Sequence, residues 1–152
     1  MTATGSTPPD GGTSHRIVVG VDGSPPSVAA LDWAVRQAEL TGWPVEVVVA
    51  WEVPTSSGWA TVPEGFDPVG DAHAVLGPLV DRVRTDHPGV VVLERVAEGR
   101  APTVLEEASR AADLLVVGSR GLGAVAGLVV GSTSEHCVTH ASCTVVVVRT
   151  GH

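Results

Sequence analysis

Lysine is absent from this chain of 152 residues, whose nine basic side chains are all arginine. A Walker A loop needs Gly-Lys-[Ser/Thr], so nucleotide hydrolysis of the Walker type is disfavoured. Tyrosine is absent too, and the aromatics come to four Trp and one Phe. The core must then be Val, Leu and Ala, which favours stacked α/β layers over an aromatic-rich all-β design. Positive charge is outnumbered: the formal net charge is −8 and the pI is near 5.0. Neither nucleic acid nor an anionic membrane would be attracted in bulk, so any anion must be gripped locally. No apolar run reaches the ~18 residues of a membrane span. Two cysteines, Cys137 and Cys143, imply no disulfide framework, and a reducing cytoplasm is the expected compartment.

What remains is rich in Val, Ala and Gly, with 43% apolar residues, enough for one domain with a sizeable core. Met1–Ser14 holds Gly, Pro, Ser and Thr and has almost nothing to bury. It reads as a disordered tail, neither signal peptide nor anchor. The domain is expected over residues 15–150. Arg16–Asp22 is a β-branched run ended by Gly23, hence a central strand with Asp22 at its carboxyl end. Ser24 can cap the next helix, with Pro25 and Pro26 in its first turn, and Val28, Leu31, Val35 and Ala38 form its buried stripe. Val45–Trp51 is a second strand, parallel to the first because a helix connects them.

A loop follows over Glu52–Gly65, then a helix face of Val69, Leu76, Val80 and Val83, which Gly77 and Pro78 should kink or split. Val90–Val96 is a third strand and Pro102–Ala112 a third helix. Leu114–Val117 is a fourth strand, buried on both sides, and Thr144–Arg149 a fifth, with four consecutive valines. Five strands alternating with helices predict a doubly wound parallel sheet in the order 3-2-1-4-5, helices on both faces, of Rossmann-like architecture. Its direction reverses between the first and fourth strands, and a crevice opens at their carboxyl ends. Asp22 and Gly118 should meet there.

The fourth strand runs into a glycine-rich loop. Gly118, Gly121 and Gly131 would let backbone approach an anion closely. Ser132 and Glu135 have capping-box spacing, so a helix should start at Ser132 with its first N–H groups aimed at phosphate oxygens. The spacing Gly-x2-Gly-x9-Gly-[Ser/Thr] from Gly118 to Ser132 resembles the ATP-binding signature of the universal stress protein family, and every fixed position matches. The resemblance covers about His15 to Arg149, with GVDGSPPS at Gly20–Ser27 looking like the family's first-strand motif.

That resemblance implies a regulatory, cytoplasmic adenine-nucleotide-binding protein that is not an enzyme. Asp22, with Val21 beside it, would lie at the ribose and a magnesium ion; Ala50 would offer backbone to the adenine edge. Gly118, Gly121, Gly131 and Ser132 would hold the phosphates, Thr133 would add a contact, and Arg120 would neutralise charge. ATP is the expected cofactor, cyclic AMP an open alternative, and a homodimer through Thr144–Arg149 the expected assembly. One departure is Cys143-Thr144, where the family usually has proline before the last strand.

Other readings of the same residues stay open. Asp22 before Gly23 is also a common turn signal, and Arg120 is as much a solvent-facing arginine as a phosphate ligand. Trp51 is read as packing at the rim rather than stacking on adenine. His136 and His140, with Cys137 and Cys143 near, invite a zinc site but do not obviously converge. The competing functions are an enzyme cleaving ATP at the α-phosphate, for which VDGSPPS is a poor match, and a ligand-free interaction module.

Overall fold

The computed structural model describes residues 14–53, 64–120 and 130–150. Gly121, and with it most of the small-residue segment after Arg120, lies outside the described residues, as does most of the second-strand loop.

Five parallel strands form one sheet: β1 (Ile17–Gly20), β2 (Val45–Trp51), β3 (Val92–Glu98), β4 (Leu114–Gly118) and β5 (Thr144–Val148). Their order is β3-β2-β1-β4-β5, as the alternation of elements predicts. β1 lies in the middle, Ile17 level with Val45 on one side and Leu114 on the other. Side chains alternate across the pleat and so feed two cores. Ile17, Val19, Val45, Val47 and Val116 face α1 (Pro25–Thr41) and α2 (Pro68–Asp86). Val18, Val48, Leu115 and Val117 face α3 (Ala101–Ala108) and α4 (Ser132–His140), where Leu105 and Cys137 are buried.

Ser24 caps α1 as expected, its side chain accepting from the Ser27 N–H, and both prolines sit in the first turn. Gly42 ends the helix in the left-handed region at φ 78°. The buried stripe is Ser27, Ala30, Leu31, Ala34, Val35 and Ala38, with Val28 only half-buried.

Three expectations change. α2 is one helix through Gly77 and Pro78, not split into two elements. Pro78 is exposed, and the carbonyl its missing N–H leaves unbonded belongs to exposed Ala74, which water can satisfy. Leu76, Val80 and Val83 hold the other face in the core, while Val69 is 39% exposed and adds little. β3 starts two residues later than its valine run suggests, because Val91 uses its carbonyl to receive the Val45 N–H but is itself 59% exposed. The third helix ends at Ala108 and tightens into a 3-10 turn over Ser109–Ala111. There the Ser109 hydroxyl bonds back to the Glu106 carbonyl and receives the Ser142 N–H at 2.9 Å.

Candidate functional site

β1 ends at Gly20, and the chain continues through Val21, whose N–H donates to the Val48 carbonyl at 2.9 Å. Asp22 follows in a compact knot of bonds. Its Oδ1 accepts from the Ser24 N–H at 2.9 Å, and its own N–H donates to the Ser27 hydroxyl at 3.2 Å. That hydroxyl donates in turn to the Ser24 carbonyl at 2.9 Å. Gly23 turns the chain at φ 87°, a conformation that disfavours any residue with a Cβ. The Asp22 carboxylate is therefore fixed at the carboxyl end of the sheet by turn and cap together.

On the β4 side the geometry departs from the sequence expectation. Ser132 does not cap α4: Gly131 is the cap, extended at φ −78° and ψ 170°, with no side-chain cap bond, and Ser132 is the first helical residue. The capping box with Glu135 is therefore not formed. Instead, Gly131 N–H donates to the Ser119 carbonyl at 2.6 Å, and the Ser134 hydroxyl donates to the Gly118 carbonyl. These two bonds pin the start of α4 onto the end of β4 from below. The first intrahelical bond is Glu135 N–H to Gly131 carbonyl at 3.0 Å. The N–H groups of Ser132, Thr133 and Ser134 precede it, at the positive end of the helix dipole, with no side-chain cap to occupy them. The absent cap leaves donors for a ligand.

Both ends border one cleft at the switch point between β1 and β4. Val21, Asp22, Ala50, Gly118, Arg120, Gly131, Ser132 and Thr133, which lie far apart in the chain, all line it. Gly121 alone of the expected residues lies outside the described ones. Val48, Ala101, Leu105 and Val117 make an apolar floor, and Ser27 and Ser134 add hydroxyls. Nothing in the local sequence around Leu105 marks it as part of a site. Its signal was position, since it lies one helical turn after Ala101 at the start of α3, opposite the β1 end. Gly20 is small for the same reason: a Cβ there would stand 2.7 Å from the Leu105 side chain.

Ala50 contributes main chain. In a parallel ladder the peptide groups of alternate residues point to the same neighbour. The Val48 carbonyl receives from Val21 and the Trp51 carbonyl from Gly99 on the β3 side. Two residues beyond Val48, Ala50 turns its N–H and C=O toward the β1 side, where the strand has already ended and the cleft begins. Trp51 packs half-buried against the α1/α2 core, on the opposite face from the floor, so it is a packing residue at the rim.

Behind the floor, α3 and α4 are joined by His136 Nε2 and Glu106 Oε1 at 2.8 Å. That hydrogen bond is the largest cause and outweighs an opposing desolvation; with the lesser charges of His136, His140 and Arg110 it holds the Glu106 carboxyl below its ordinary value. His140 stacks on His136 with centroids 4.2 Å apart, and its Nδ1 lies 3.1 Å from the His136 carbonyl. Burial, with the Glu106 and Cys143 charges, pushes the Cys137 thiol up to about 11, so it stays protonated and packs as a small apolar group. Among the described residues, no three His, Cys, Asp or Glu side chains are grouped to hold a metal ion.

A family model described as the universal stress protein family matches residues 13–149. The chain belongs to that family. A universal stress protein of Mycolicibacterium smegmatis is 36% identical over 147 residues, which is 90% of this chain and 49% of that protein. The chain thus spans about half the length of the curated universal stress proteins it matches. Among solved structures, a universal stress protein in complex with cAMP is similar at 27% identity and TM-score 0.69, covering 90% of this chain and 98% of that one. The universal stress protein UspA from Lactobacillus plantarum, at 24% identity and TM-score 0.68 over 91% and 99%, shares the fold. No helix among the described residues of this universal stress protein is long and apolar enough to cross a membrane.

Proposed function

We propose that this universal stress protein binds an adenine nucleotide, ATP in the reading of its glycine spacing, and acts in the cytoplasm as a regulator through its bound state rather than as a catalyst. The observation that carries this is the meeting of Asp22 with Gly118 and the uncapped first turn of α4 around one cleft. Its apolar end suits a base, and its amide end suits phosphate. The related structure determined with cAMP supports the same ligand class. Ala50 would meet the adenine edge, Val21 and Asp22 the ribose, and Gly118, Gly121, Gly131, Ser132, Thr133 and Arg120 the phosphates.

Magnesium fits the donor set as an ion shared between one carboxylate and the phosphates, the usual arrangement for nucleotide-bound Mg2+. Asp22 would hold it, and its chemistry would be charge neutralisation. The described side chains lining the cleft include no His, Cys or Lys to serve as nucleophile or strong base beside Ser132. Binding is therefore the role the lining supports.

Calorimetry tests the reading. ATP, AMP and cAMP titrated into wild type should each give saturable heat or none according to preference, with at least one binding. Ser132→Ala should weaken the bound one roughly tenfold, about 1.4 kcal/mol. Absence of binding by every adenine nucleotide overturns the proposal.

We further propose a homodimer in which the edges of β5, extended over Thr144–Arg149, meet through their main chains, the Arg149 side chain standing on the α3/α4 face of the sheet and not along that edge. Val145–Val148 are only half-buried there, and an apolar edge of that length is ordinarily covered. Sedimentation at micromolar concentration should give twice the chain mass; a monomer overturns it.

A further inference from the structure

The cleft has a direction across the sheet. Its apolar floor runs from Val48 and Ala50 on β2 past Leu105 on α3 to Val117 on β4, and its amide end lies at the start of α4. The strand order continues the same line to β5. A nucleotide lying with its base at Ala50 and its first phosphate at Ser132 therefore points the rest of its phosphate chain toward the end of β5. The residue there is Arg149.

Register places Arg149 closely. Gly118 is level with Val148, and the Ser119 N–H donates to the Val148 carbonyl at 2.8 Å. Arg149 thus lies beside Ser119 and the cleft-lining Arg120, one strand beyond the residues that line the cleft itself. Alternation sets its face: Val146 and Val148 pack toward α1 and α2, Val145 and Val147 toward α3 and α4. Arg149 continues the second set, the face on which Leu105 and Val117 floor the cleft. It is exposed, and like Arg36, Arg95, Arg100 and Arg120 it has no ion-pair partner among the described residues; of these five, Arg149 and Arg120 are the two beside the junction of β4 and α4.

Charge makes the placement matter. The chain carries −8 overall, and the stretch from Gly121 to Val130 is GLGAVAGLVV, without a charged side chain. The α4 amides can hold one phosphate group, but a longer anion needs further positive charge. From these observations we infer that Arg149 is a specificity-determining residue that receives the terminal phosphates of a nucleoside polyphosphate, with Arg120 on the inner group. A guanidinium suits the task because its planar fork meets two phosphate oxygens at once. This rests on the nucleotide reading of the cleft and deepens it from nucleotide to polyphosphate.

The test compares AMP and ATP by calorimetry on wild type, Arg149→Ala, Arg149→Lys and, as control, Arg36→Ala, whose arginine lies exposed on α1, away from the β4–α4 junction. In Arg149→Ala the affinity for ATP should fall about tenfold while that for AMP changes less than about twofold. Lysine should restore part of the ATP affinity, and Arg36→Ala should leave both unchanged. An ATP-to-AMP ratio that stays the same in Arg149→Ala overturns the role of Arg149 and leaves the nucleotide site standing. Wild type that binds neither ligand overturns the nucleotide reading and this inference with it. Thermal unfolding of the variants separates a binding loss from a folding loss.

Discussion

Gly118→Ala should lower the stability of the fold by ~2–3 kcal/mol, read as a drop in the urea midpoint with unchanged slope. A Cβ at Gly118 would stand 2.6 Å from both the carbonyl carbon and the oxygen of Pro26, and 2.8 Å from its Cβ. The first two are main-chain atoms and the third belongs to a closed pyrrolidine ring, all in the first turn of α1, held by the Ser24 cap and stiffened by two prolines. Nothing there can swing aside. Gly118 cannot retreat either, since β4 is paired on both sides and the Ser119 N–H is tied to Val148. The strand and the β1–α1 turn must part, and that separates Asp22 from the amide end of the cleft. The sequence expectation gave Gly118 the job of letting an anion come close. Its missing side chain has a packing consequence as well: it lets the two halves of the sheet's switch point pack against each other. A midpoint within experimental error of wild type would refute this packing role.

Ala50→Trp should abolish nucleotide binding while leaving the fold intact. Ala50 packs against the α3/α4 core with Leu105 and lines the cleft, at the end proposed above for the base. An indole there takes the space between the end of β2 and the start of α3. Affinity for AMP and ATP alike should fall at least about a hundredfold, ~2.8 kcal/mol. The unfolding midpoint should move little, because Ala50 is half-buried at the cleft and an aromatic suits a strand position. Retained affinity in a folded variant would show that the base does not lie at Ala50. This variant differs from Arg149→Ala in removing both ligands equally, so together they map the two ends of the cleft.

The parts of this molecule that were readable in advance are those where one local rule acts alone. Apolar runs such as Val47–Ala50 and Leu114–Val117 can be buried only as inner strands, and helical connections between them dictate parallel order. Asp22 and Gly118 followed from topology, since the switch point is a property of strand order and not of any single residue. Where two rules compete, the reading failed. Pro78 opposes a helix locally, but Leu76, Val80 and Val83 gain more by staying on one continuous face. Ser132 has the spacing to cap, yet the pull of Ser119 and Gly118 on Gly131 and Ser134 sets the helix one residue earlier, a tertiary effect absent from the local string. Leu105 and Ala101 went unrecognised because apolar floor residues look like any other core residue until a third dimension places them beside Ala50.

The middle strand of the sheet is completed from opposite ends of the chain. Arg16 donates its N–H to the Asp113 carboxylate, a partner 97 residues further along, and Ile17 then aligns with Leu114. Closing so wide a loop costs more entropy than bringing β1 to β2, so the first half of the sheet can associate before the second is docked. The crevice between β1 and β4 has no existence in that half-built state. A small molecule held there meets only chains whose two halves have joined, and so its occupancy reports on completed folding as well as on its own concentration.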